Sequence, residues 1–226
     1  MEGYSSVKLY FMLGLPTETD EDLEGIIDLA GRIIDFYYKL KNEYNLQKGK
    51  GVNVTVSVST FVPKPFTPFE FEGQDTIEEI ERKQKLLISL ARARSKKITL
   101  KYHNRELSHA ESILARGDRR LCKVLEKVYR SGGVLESWEE RFSLERWTEA
   151  LKSEGLDDNF YACRKIAYDE ITPWEHLDYS VSKEFLVREN KLAREAVTSP
   201  NCKDKCAGCG ASALCRDAKC VCNSLK

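Results

Sequence analysis

Residues Val7 to Leu13 (VKLYFML) form a run of apolar character that stops at Gly14-Leu15-Pro16, the pattern of a buried strand closed by a turn. A helix is predicted directly after it. Thr19 can cap it, Asp20, Glu21 and Asp22 fill the first turn where the helix dipole favours negative charge, and Leu23, Ile26, Ile27, Ala30, Ile33 and Ile34 make one apolar stripe. From Val52 to Val62 the chain alternates, with Val52, Val54, Val56 and Val58 on one face and Asn53, Thr55, Ser57 and Ser59 on the other. That is a strand with a small, polar second face. Strand, long helix and strand make a parallel βαβ unit.

Two parallel strands do not stand alone, because parallel sheets are covered on both faces and sit among neighbours. Further strands are therefore expected, supplied by another chain or by a longer polypeptide of which this is a fragment. From Asp75 the periodicity becomes helical: Ile77 to Lys97 reads as a charged amphipathic helix and Ile98 to Tyr102 as a short strand. Three or four helices follow through Gly155, including Leu121 to Tyr129 and Leu144 to Leu151, and another begins near Ser182. Beyond Ser199-Pro200 the composition shifts to Cys, Gly, Ala and Lys. The expected divisions are thus 1–74, 75–198 and 199–226.

With 226 residues, 42% hydrophobic, the chain can bury one core or one core with an appendage. Lys and Arg (36) balance Asp and Glu (36), so net charge makes no case for nucleic acid or an anionic membrane. A run of about 18 apolar residues is absent, as is a secretory signal pattern, which places the expected compartment in the cytoplasm. Six of the eight cysteines fall between Cys202 and Cys222, and that clustering in a reducing compartment favours metal chemistry over disulfides.

Gly14 to Asp22 (GLPTETDED) sits at the C-terminal end of a strand, where α/β folds bind ligands. It is not a P-loop, since the Gly-Lys-Ser/Thr signature is missing and three carboxylates would repel a phosphate. Taken alone, the segment reads first as a well-capped βα turn. Inside a barrel, the Asn53, Thr55, Ser57 and Ser59 row would wall a cavity with hydrogen-bonding groups; on an antiparallel strand it would be a solvated face. The exit VPKPFTPFEF (Val62 to Phe71) is expected to be stiff and extended, with Lys64 able to reach over a barrel mouth.

Gly14-Leu15-Pro16-x-Glu18-Thr before an acidic helix, followed by a strand ending Phe61-Val-Pro-Lys-Pro-x-Thr-Pro-Phe69, resembles the fifth and sixth βα units of radical S-adenosylmethionine (SAM) enzymes. More narrowly, it resembles the radical SAM proteins with an N-terminal cobalamin-binding domain. Leu114 to Arg120 (LARGDRR), Pro173 to Asp178 (PWEHLD) and Val181 to Leu186 (VSKEFL) look like the same family's C-terminal region. The resemblance implies an α/β chain: the last βα units of a partial (β/α)6 barrel, then a mainly helical region and a Cys-rich tail. It implies SAM near Gly14, Leu15, Pro16, Ser57, Lys64 and the backbone at Val62, with Glu18 beside it but serving the turn. The family's core 4Fe–4S cluster uses a C-x3-C-x2-C loop, and no cysteine precedes Cys122. The chain is thus expected to need an N-terminal half of the barrel, which would also carry any cobalamin domain, and to lack activity alone.

Cys202, Cys206, Cys209 and Cys215 are the expected ligands of a second metal site, either zinc or an auxiliary iron–sulfur cluster, because short spacings let thiolates converge. Cys122 and Cys163 are expected to be ordinary buried residues. Of His103, His109 and His176, the last is the strongest site candidate, because Glu175 and Asp178 could orient its ring. Arg116, Arg119 and Arg120 with Asp118 read as a surface ion-pair set, with an anion contact as the alternative. The competing functional reading is a non-catalytic, metal-stabilised helical module that binds RNA or a protein.

Overall fold

A computed structural model describes residues 4–44, 51–201 and 204–211. The protein is a mixed α/β chain; among the described residues it has three strands, seven α-helices and one short 3-10 helix. It folds as two compact units, Met1–Phe61 with Asp75–His109, and Val62–Gln74 with Ala110–Lys226. The change to helical periodicity places the first division at residue 74; the units interleave because the segment after the second strand joins the second unit.

The first unit is built on a parallel sheet of β1 (Ser6–Leu13), β2 (Asn53–Thr60) and β3 (Ile98–Tyr102), in that order. Val7 pairs in register with Val54, and Val54 with Ile98. Parallel pairing on both sides of β2 removes the antiparallel alternative. The valines dictate what is buried: Val54, Val56 and Val58 lie in the core, packed with Leu23, Ile26, Ile27, Ala30 and Ile34 of α1 (Asp20–Glu43) and Ile80, Leu87 and Ala91 of α2 (Ile77–Arg94). Thr19 caps α1 in a reciprocal box with Asp22, as its sequence predicts. α2 stops at Arg94, three residues before the expected end, because Ser95 is extended and precedes the turn into β3.

β1 departs from expectation. Its burial alternates, with Val7, Leu9 and Phe11 half-buried against the core while Tyr10 is 72% and Met12 43% exposed. The run of apolar character is therefore two faces of an edge strand, one packed on the helices and one open.

In the second unit, α4 (Leu121–Arg130), α5 (Leu144–Ser153) and α6 (Asp158–Ala162) enclose a core of Ile113, Val124, Val128, Trp147, Leu151 and Tyr161. A smaller cluster joins Phe71, Ile166, Trp174 and Leu186 of α7 (Lys183–Arg194). Buried Glu72 fastens α7 to the Val62–Gln74 segment, accepting from Asn190 Nδ2 at 3.2 Å and Arg194 at 2.8 Å. Arg116, at the end of α3 (Arg105–Ala115), overturns the surface expectation. It is 5% exposed, and its guanidinium donates to the carbonyls of Tyr161, Ala162 and Arg164, which are orphaned where α6 ends. Arg120 does form the expected exposed pair with Asp118.

Candidate functional site

The strand ends of the first unit gather the sequence-predicted turn. Gly14 takes φ +81°, a conformation that favours glycine, and is buried between β1 and Asp75, whose Oδ2 would stand 3.1 Å from an added Cβ. The Gly14 amide donates to Glu18 Oε2 at 2.9 Å. The same oxygen accepts from Lys83 Nζ at 2.9 Å, and Lys83 reaches Asp75 Oδ2 at 2.7 Å. The Lys83 and Glu18 side chains are only 7% and 5% exposed. Burial pulls the Lys83 ammonium down, but hydrogen bonds and charge from Asp75 and Glu18 outweigh it and leave it above the ordinary lysine value. Glu18 is thus the latch of the turn. Leu15 is exposed and Pro16 half-buried beside it.

Next to this turn, the second face of the sheet carries the polar row. Ser57 is half-buried and pairs in register with Tyr10 of β1 and Lys101 of β3. Ser59 donates its hydroxyl to the Phe11 carbonyl at 3.3 Å. Asn53, Tyr10, Met12, Thr99 and Lys101 on this face are exposed. The result is a parallel sheet with helices on one face and a hydroxyl-bearing, open second face.

Val62 and Lys64 belong to the second unit. Lys64 forms an ion pair with Glu111 of α3 at 2.5 Å. The expected extended exit loop instead turns: Phe66 has φ +61° and a 3-10 helix spans Pro68–Phe71. The turn is held by buried Glu70, whose Oε2 accepts from the Phe66 amide at 2.6 Å and the Trp174 indole at 3.0 Å. A cavity of about 280 Å³ opens there, lined by Phe66, Glu70, Trp174, His176, Tyr179 and Lys183 among others. His176 is exposed at its rim, yet neither neighbouring carboxylate orients it. Glu175 accepts from the Thr172 amide and Lys183, and Asp178 from the Ser180 amide.

Burial raises the Glu70 carboxyl above the usual range, against the opposing pull of the Phe66 amide, Trp174 and Lys183. A carboxyl raised on folding binds its proton more tightly in the native state, so stability is gained as pH falls through the folded value to the ordinary 4.5. Glu70→Gln should abolish that gain. Urea unfolding read by tryptophan fluorescence checks it, since Trp138, Trp147 and Trp174 all lie in the second unit.

Of the tail cysteines, Cys206 and Cys209 lie in the described segment, both half-buried, whereas Cys202 and Cys215 lie outside the described residues. The Cys209 carbonyl accepts from the Ser182 amide at 2.9 Å, and Arg188 donates to the Ala207 carbonyl, which fastens the segment to the start of α7. Gly208 and Gly210 both take positive φ. Among the described residues no group of three or more His, Cys, Asp or Glu side chains converges. Cys122 is exposed, against the expectation of burial, whereas Cys163 is half-buried against the core of the second unit, its thiol donating to Asn159 Oδ1 at 3.2 Å. His103 is exposed and His109 buried. Lys83 and Glu70 carry no sequence signal of their own, standing among ordinary surface charges.

No helix among the described residues is long and apolar enough to cross a membrane. No protein-family model matches the chain. No solved structure matches it either. Among curated proteins, the chain is similar to the uncharacterized protein MJ0966 of Methanocaldococcus jannaschii, 31% identical over 157 residues. Those residues are 70% of this chain but 31% of the relative, so the chain is similar to a segment of a longer archaeal protein.

Proposed function

We propose that the chain is the C-terminal part of a radical SAM enzyme, its first unit forming the last βα units of a partial (β/α)6 barrel. One observation carries the reading: three parallel strands, helix-covered on one face, turn a polar face with Ser57 and Ser59 outward. Parallel sheets are otherwise covered on both sides. Strands added at the free β1 edge would curl this face into the wall of a cavity.

SAM would then lie across the strand ends, with the Gly14, Leu15 and Pro16 backbone and the Ser57 hydroxyl available to bind it. The donor set suits SAM and not the core cluster, because the first unit has no cysteine. When bound, cluster and SAM supply one-electron cleavage of the sulfonium. The contribution of this chain is to bind and orient: Glu18 and Lys83 fix the turn, and the serine row offers hydrogen bonds. The cluster ligands, and any cobalamin, are assigned to an N-terminal half, on the same polypeptide or a separate chain. Cys202, Cys206, Cys209 and Cys215 are proposed as a second metal site of zinc or iron–sulfur type. Its short spacings and two positive-φ glycines suit convergent thiolates.

The test is anaerobic co-expression of this chain with the polypeptide encoded immediately upstream, followed by SAM and a strong reductant. The pair is expected to form 5′-deoxyadenosine and this chain alone none. An upstream region without C-x3-C-x2-C, or a cluster-loaded pair that leaves SAM intact, overturns the reading.

A further inference from the structure

LARGDRR builds more than a surface ion-pair set. Among the described residues Arg116, the buried clamp of the α6 carbonyls, makes no ion pair, and its buried Nε has no hydrogen-bond partner. Buried charges are ordinarily paired, because desolvation is costly when only dipoles compensate it. Arg116 also lines a cavity of about 220 Å³, together with Arg120, Arg164, Asp118, Glu170 and the ring of Phe160. Arg120 is held by Asp118, with Nε at 3.0 Å and the second nitrogen at 2.6 Å, while Arg164 holds Glu170 through two bonds of 2.8 and 2.6 Å. Each of those arginines meets its carboxylate along one side of the guanidinium, which leaves Arg120 Nη1 and Arg164 Nε outside these bonds. Three guanidiniums and two carboxylates converge, so the formal charge of the cluster is positive by one.

We infer that this cavity in the second unit is a binding site for a small phosphate-bearing anion, held by Arg116, Arg120 and Arg164. Its geometry suits phosphoryl chemistry: several guanidiniums surround one space and offer planar, charge-assisted donors. The two carboxylates position Arg120 and Arg164 and offset part of the charge of the three guanidiniums. Burial and the nearby charge of Arg164 push the Arg116 guanidinium down to about 10, the direction that an arriving anion would reverse. The 220 Å³ volume is below the usual range for drug-sized ligands and limits the occupant to a small one.

Titration of the full chain with inorganic phosphate at constant ionic strength, by calorimetry and 31P NMR, tests this site independently of SAM chemistry. Saturable binding of phosphate and not of acetate is expected. Asp118→Asn, which frees Arg120 from its carboxylate, should tighten phosphate binding about fivefold, and Arg120→Gln should weaken it about fivefold. Arg120 is exposed and Asp118 half-buried, so far-UV circular dichroism should remain that of the wild type. Arg116→Lys should abolish binding; if it unfolds the second unit, the other two variants still decide. Absence of saturable phosphate binding, equal binding of acetate, or unchanged affinity in both Asp118→Asn and Arg120→Gln overturns the inference.

Discussion

Lys83→Met should destabilise the sheet unit by about 3–5 kcal/mol, the usual cost of removing one partner from a buried ion pair. The substitution keeps an unbranched apolar stem at this buried position of α2 but removes the ammonium that Glu18, 5% exposed, and Asp75 share. The Gly14 turn should then open, because the Glu18 oxygen that holds the Gly14 amide is the one Lys83 neutralises. Hydrogen exchange at Val54, Val56 and Val58 should accelerate at neutral pH, and unchanged exchange would contradict the latch. Glu18→Gln should cost less, about 1–2 kcal/mol, since the amide oxygen still accepts both bonds. The pH dependence has a definite sign. A lysine raised on folding contributes fully below its ordinary value of 10.5, and that contribution is lost as pH climbs through the folded value. Wild type should therefore lose sheet-unit stability above about pH 10.5, a loss that Lys83→Met should lack.

Gly73→Ala should be at least as damaging in the second unit, by about 3 kcal/mol or more. An added Cβ would fall 1.9 Å from the carbonyl oxygen of Cys163 and 2.6 Å from its carbon. Both atoms are backbone, so no side-chain rotation relieves the overlap. The two segments would have to part, which breaks the flanking bonds from Gln74 N to Ala162 O and from Ile166 N to Phe71 O, each 2.9 Å. The Arg116 clamp, anchored on the same 161–164 carbonyls, would shift with them. Urea unfolding by tryptophan fluorescence should show an early transition, while exchange at β2 stays slow. A wild-type midpoint would refute the close approach.

Elements ruled by local chemistry were legible in the sequence. The Val54, Val56 and Val58 alternation marks β2, and Thr19 and Ser182 cap the helices they precede. Gly14 carries the positive φ its place in the turn requires. What was hidden depends on distant partners. Lys83 reads as one more charge on an amphipathic helix until Glu18, 65 residues away, is placed beside it. Arg116 stands among other charges, and the carbonyls it holds come 45 to 48 residues later. β1 misled for a different reason, since a short apolar stretch reads the same whether both faces are covered or one is left open. For the candidate site, the turn and serine row were visible, whereas the bend at Phe66 and Glu70 rests on Trp174, 104 residues downstream.

The interleaving of the units bears on how the chain is made. During synthesis β1, β2 and β3 can pair once β3 has emerged, and the helices packed on them, α1 and α2, precede it. The loop after β2 must wait much longer. Glu70 and Glu72 meet Trp174 and Asn190 only after more than a hundred further residues have left the ribosome. Folding should therefore be vectorial and two-phased, with an early sheet and a late closure of high sequence separation. A cut at residue 75 would release neither unit intact, because each takes chain from both sides of it.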